Sequence, residues 1–177
     1  SYADYVQQII DGHPDQSVRN LAKKEFSPNR NVMPGKPVPD FALVSLDDQN
    51  TTYTRQALLG KVYLIDFWAT WCIPCIEEMG NLQAVYETFK DRGFEILSLS
   101  LDEKPETVKE FRKGKWKMPW LNWFAAGGYQ NETIRRFEIS GIPKPILVDR
   151  EGRIIATGND LRGRNLLQTV AIVMNNS

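Results

Sequence analysis

Cysteine and histidine are almost missing from this chain. Its 177 residues include two cysteines, Cys72 and Cys75, and one histidine, His13. Structural zinc takes about four ligands, chiefly cysteine and histidine. With two sulfurs close together and the imidazole far off near the N-terminus, no metal site is expected, and His13 reads as a surface residue at a turn. So few cysteines also exclude a disulfide-rich scaffold. Long apolar runs are lacking as well. None reaches the roughly 20 residues that a bilayer-spanning helix needs, so the chain is not expected to cross a membrane. It begins Ser1-Tyr2 without a basic-then-apolar leader, so either a targeting segment has been removed or none existed. Nor does one charge dominate, since 22 Lys+Arg face 22 Asp+Glu. Nucleic acid or an anionic membrane surface would call for a basic surplus, and neither is expected as a partner. Lys113, Lys115 and Lys117 read as a solvated loop.

What is present suits one domain with a short added segment: 42% hydrophobic and 25% charged residues, enough to bury a core and stay soluble. Residues 1–30 are polar and intermittently apolar (Tyr5, Ile9, Ile10, then Val18, Leu21, Phe26), which predicts two short helices, the second opened by Pro14. "SPNRNVMPGKPVPD" over 27–40 holds four prolines and a glycine and reads as an extended linker. The main domain is therefore expected over 34–177, with 1–33 as a helical arm and linker, or the tail of an upstream domain.

Within that domain, "FALVSL", "DDQN" and "TTYT" predict a β-hairpin with a polar turn. "KVYLIDFWA" is almost continuously apolar and β-favouring, as a strand buried on both faces should be. Met79, Leu82, Val85, Tyr86 and Phe89 then recur at helical spacing over 74–90, with Gly93 as a stop. "FEILSLSLD" is a second buried strand, and "PETVKEFRKG" and "NETIRRFEI" are helices. "PILVD", "REG" and "RIIATG" form a hairpin, and "LRGRNLLQTVAIVM" is a final amphipathic helix. The pattern is α/β, a central mixed sheet with helices on both faces. Its first βαβ unit, over 61–102, puts the active edge where the strand ends and the helix begins. Cys72 and Cys75 fall there.

A disulfide closing so short a loop takes little entropy from the unfolded chain, so the pair makes a poor staple. A redox reading uses the neighbours. Cys72 would sit at the helix N-terminus, where unpaired N–H groups and the positive dipole end favour a thiolate. Cys75 would lie one turn on, able to close or release the bridge. Pro74 falls in the first turn, where a missing N–H costs nothing.

"DFWATWCIPC", with "SGIPKPILVD" about seventy residues further on, resembles the thioredoxin superfamily. "SLDEKPETVKEFRKGKWKMPW" and the hairpin ahead of the strand are similar to its TlpA/ResA-like branch of bacterial thiol–disulfide oxidoreductases. The linker and polar arm resemble Bacteroidetes-type members that carry an extra N-terminal domain. The resemblance covers 34–174 and implies a thioredoxin-like fold. It implies Cys72 as nucleophile, Cys75 as resolving cysteine, and the two as a redox-active disulfide. Pro143 matches the family's cis-proline beside the disulfide, which leaves backbone groups of Ile142 for an extended substrate; an ordinary trans turn is the alternative. Trp71 matches the aromatic that covers the sulfur and meets partners, though a core role is open. Asp66 matches the buried aspartate behind the disulfide and Glu78 the glutamate one turn after the second cysteine. Either carboxylate, with a raised pKa, would suit the base that deprotonates Cys75. Equally, Asp66 could satisfy a backbone group, and Glu77 or Glu78 could be first-turn acids favoured by the dipole.

Departures from the family pattern are Gly80 in place of a kinking proline, Lys144 in place of a threonine, and Pro145 at a strand entrance. Ser98 stands where cytosolic thioredoxins carry a lysine, so Asp66 is expected to be less well paired. "KWKMPWLNWFAAGGY" is read as aromatic packing of Trp116, Trp120, Trp123 and Phe124 rather than a lid. The resemblance implies a protein-disulfide reductant in the periplasm or cell envelope, with no cofactor. Its partners would be a cysteine-containing client and an upstream electron-donor thiol protein. A peroxiredoxin-like thiol peroxidase is one alternative. That class wants a threonine three residues before its cysteine and a proline further back, whereas this chain has Ala69, Ile65 and Asp66 there. A non-catalytic binding module is the other.

Overall fold

The computed structural model describes residues 2–26 and 31–176. The chain divides between Asn31 and Val32 into two compact units. In the first, α1 (Tyr2–Gly12) and α2 (Gln16–Leu21) are followed by a π-helical turn, Ala22–Phe26. Val6, Ile10 and Ala22 form a small buried cluster. The second helix does not open at Pro14. Asp15 is its N-cap and accepts the Ser17 N–H at 2.7 Å, which leaves Pro14 outside the helix. His13 lies at that turn, its Nδ1 accepting the Asp15 N–H. Of the linker, 27–30 lie outside the described residues. Beyond them Val32 and Val38 are buried in the second unit's core.

That unit carries two sheets. β1 (Ala42–Val44) and β2 (Thr52–Thr54) make the antiparallel hairpin. The main sheet comprises β3 (Val62–Trp68), β4 (Phe94–Ser100), β5 (Leu121–Phe124), β6 (Lys144–Val148) and β7 (Ile154–Thr157), in the order β5-β4-β3-β6-β7. β4 pairs in parallel with β3 and β5, whereas β6 runs antiparallel to both its neighbours, β3 and β7, so the sheet is mixed. β5 was not expected. It lies inside the aromatic segment, whose cluster of large rings hides a four-residue strand. Its ladder to β4, from Leu97↔Leu121 to Ser100↔Phe124, supplies the backbone partners that define it.

Every residue of the central strand β3 is buried. Alternate side chains enter opposite cores. Val62, Leu64 and Trp68 join the cluster under α3 (Ile73–Glu77), α4 (Met79–Phe89), α5 (Pro105–Phe111) and α7 (Arg164–Asn175). Tyr63, Ile65 and Phe67 meet the hairpin and α6 (Glu132–Arg136). Asp66 is the polar exception on the first face. The helix expected over 74–90 breaks at Glu78, which takes φ −81°, ψ −11° and ends α3 before α4 begins. Pro145 is the second residue of β6 rather than its first, opposite Asp66, and the β7 ladder starts only at Ile146. The aromatic segment packs: Trp120 is buried, and Trp116 and Phe124 lie against the same cluster.

Candidate active site

β3 delivers the chain to its carboxyl end, and a tight turn there, Cys72 N–H to Ala69 carbonyl at 3.1 Å, leads straight into α3. Cys72 is the N-cap of that helix, in extended backbone, and its Sγ accepts the Cys75 N–H at 3.3 Å. Pro74 sits in the first turn, where no hydrogen bond is lost. The two sulfurs are bonded, with Cα atoms 5.3 Å apart, and both residues are buried, Cys72 5% and Cys75 2% exposed. On either side of Cys72 the chain turns outward. Trp71 is 57% exposed and Ile73 69%, so a buried sulfur pair lies under an apolar rim. The Trp71 side chain is thus a surface feature, while the indole three residues earlier, Trp68, is core. Ile142 packs against the cluster that contains both cysteines, and the Ile142–Pro143 peptide is cis.

Alternation on β3 points Asp66 to the same face as the helix that carries the cysteines. It is 6% exposed, and Ser98, its register partner on β4, donates a hydroxyl bond to Oδ2 at 2.9 Å. The Ser98 oxygen in turn accepts the Trp120 indole N–H at 2.8 Å. Burial pushes the Asp66 carboxyl up to about 7, the Ser98 bond pulls it back, and the Glu78 charge pushes it further up. Glu78 is more open. Its carboxylate accepts the Gly163 N–H at 2.9 Å and the Asn81 amide at 3.2 Å, with Arg162 at 3.8 Å. It therefore ties the break between α3 and α4 to the start of α7, and Glu77 points to solvent.

Neither Trp120, which orients Ser98, nor Asp102 is among the site residues expected from the sequence. Asp102 is buried and accepts hydrogen bonds from Thr70 and Ser100. A signal was present in "SLSLD": Ser98, Ser100 and Asp102 alternate along one buried strand and its exit, where period two places all three on one face.

Residues 34–157 match the family described as AhpC/TSA, and the chain belongs to that family. The thiol-disulfide oxidoreductase ResA of Bacillus cereus is 30% identical over 130 residues, 73% of this chain and 72% of that protein. Among solved structures, the thioredoxin domain of a thiol-disulfide oxidoreductase from Bacteroides vulgatus superposes with a TM-score of 0.71. It has 31% identity and covers 80% of this chain and 98% of that one. A thiol:disulfide interchange protein from Bacteroides sp. gives 0.72 at 30% identity, covering 82% and 93%. The fold is thioredoxin-like.

Proposed function

We propose that this protein is a thiol–disulfide oxidoreductase that reduces disulfides in a client protein. The supporting observation is the sulfur pair at the start of α3, with a buried carboxylate of raised pKa on the same face of the sheet. In the reduced form the Cys72 thiolate attacks one sulfur of the client disulfide and the client's other sulfur leaves as a thiolate. Asp66 takes the proton from Cys75, whose thiolate attacks the Cys72 sulfur of the mixed disulfide and expels the second client sulfur. Two electrons pass to the client, which ends as two thiols, and the chain ends as the Cys72–Cys75 disulfide. An upstream thiol protein then reduces it. Trp71, Ile73, Ile142 and Pro143 form the apolar and backbone surface that receives the client, and Glu78 acts through its charge on Asp66. The redox domain, expected over 34–177, is assigned from Val32, whose side chain lies in its core, and 1–31 to an N-terminal arm. A periplasmic or envelope setting fits a protein similar to ResA, since disulfides persist outside the cytoplasm.

The test is a trap. With Cys75→Ser the mixed disulfide is no longer resolved, so a Cys72-linked client accumulates and is identified on non-reducing gels. No adduct with Cys75→Ser, or the same adduct with Cys72→Ser, refutes the assignment.

A further inference from the structure

Asp102 is a buried acid with no part in the exchange steps above. It is 1% exposed, two residues past the end of β4 and bonded to the turn that leads to Cys72. Its carboxylate accepts the Thr70 hydroxyl at 2.6 Å, the Thr70 N–H at 3.1 Å and the Ser100 hydroxyl at 2.6 Å, while its own N–H donates to the Ser100 oxygen at 3.0 Å. Burying a carboxylate costs several kcal/mol unless such donors surround it. An uncharged residue would avoid that cost, so this acid must be weighed by what it holds.

It holds the second residue of the 69–72 turn. The turn closes through Cys72 N–H to the Ala69 carbonyl, and the strand beside it closes through Leu101 N–H to the Trp68 carbonyl at 2.8 Å. Fixing both the N–H and the hydroxyl of Thr70 orients the next peptide. Trp71 then points outward and Cys72 inward, with its sulfur against the Cys75 N–H. In the oxidised protein the Cys72–Cys75 bond also ties this turn to the helix. Once that bond is reduced, the covalent tie is gone and the bonds between Thr70 and Asp102 remain.

We infer that Asp102 is a positioning residue which, through Thr70, keeps the reduced Cys72 sulfur at the amide end of α3. The inference rests on the reading of Cys72 as the attacking sulfur. It implies that the clamp matters more to the reduced protein than to the oxidised one, because only the reduced form depends on it to keep the thiolate in place.

The experiment uses Thr70→Val, which keeps shape and removes the hydroxyl, and Thr70→Ser, which restores it. The whole reduced chain is alkylated with iodoacetamide across pH, with the modified cysteine identified by mass, and the pair is equilibrated against glutathione. With Thr70→Val, the pH midpoint of Cys72 alkylation should rise. The rate at pH 7 should fall about threefold to tenfold, as a rise of half to one pKa unit requires, and the equilibrium should move toward the disulfide. Thr70→Ser should match the unaltered protein. An unchanged or lowered midpoint in Thr70→Val, or a Thr70→Ser protein as slow as Thr70→Val, overturns the inference. So does a lower melting temperature in both redox forms with the glutathione equilibrium unmoved, since that is a structural role alone. If Thr70→Val does not fold, Asp102→Asn, which keeps shape and weakens the acceptor of both Thr70 bonds, is read the same way. Cys75 reacting faster than Cys72 in the unaltered protein overturns the nucleophile assignment itself, and that is scored before any variant is made.

Discussion

The Ser98 hydroxyl bridges Asp66, at 2.9 Å, and the Trp120 indole nitrogen, at 2.8 Å. An indole N–H only donates, so it occupies a lone pair of the Ser98 oxygen and leaves the hydroxyl proton for the carboxylate. Asp66 is thus met by a neutral donor whose direction is set by a buried tryptophan. One such bond does not offset burial, and the carboxyl sits near 7 rather than 3.8.

Stability should record that shift. The folded-state pKa is raised, so between about pH 4 and pH 7 the folded protein keeps a proton that the unfolded chain has released. Stability therefore falls as pH rises through that window and levels off above it. Asp66→Asn removes the effect. Urea unfolding of the oxidised proteins should show equal midpoints near pH 4 and a variant more stable by on the order of a few kcal/mol at pH 8. A difference that does not vary with pH would contradict the buried, protonated acid. At pH 7 the same variant should resolve mixed disulfides about 10²-fold more slowly, the usual scale for losing a general base.

Two substitutions should move the pH profile of resolution in opposite directions. Ser98→Ala removes the bond that favours the charged carboxylate, so the midpoint should rise. Glu78→Gln removes a negative charge that disfavours it, while an amide oxygen still accepts the Gly163 N–H, so the midpoint should fall. Stopped-flow resolution rates across pH distinguish the two. Shifts of the same sign would mean that Asp66 is not the titrating group.

Trp71 and Trp68 should part company. Trp71→Ala trims an exposed ring, so melting should change little, while KM for a protein disulfide should rise about threefold to tenfold and small disulfides be affected less. Trp68→Ala empties a fully buried site and should cost about 3–5 kcal/mol of stability. Equal losses of stability from the two would contradict the apolar rim as a client surface.

The reduced protein should not consume hydrogen peroxide faster than a free thiol of the same pKa. Cys72 lacks the threonine that thiol peroxidases carry three residues earlier, having Ala69 there. A coupled peroxide assay with steady turnover would favour the peroxidase alternative.

The central strands were legible because burial on both faces demands a continuous apolar run, and "VYLIDFW" and "FEILSLS" are such runs. The hairpins and the helix that starts at the cysteines carried equally local marks. β5 was not legible, since four of the residues between Pro119 and Gly127 become a strand only when β4 offers them a ladder. The break at Glu78 was hidden for a similar reason. Helical spacing runs unbroken past it, and its side chain is turned to Gly163, 85 residues away.

The order of residues alone carries the chemistry: two sulfurs a helical turn apart, with a proline between them and an acid on the strand before. Those are covalent spacings, and they hold in any conformation that forms the strand and the helix. The environment of those groups comes from packing between distant segments. Ser98 lies 32 residues from Asp66, Asp102 lies 32 residues from Thr70, and Trp120 is 22 residues from Ser98. A pKa depends on what a group faces once water is gone, and only the packed sheet determines that.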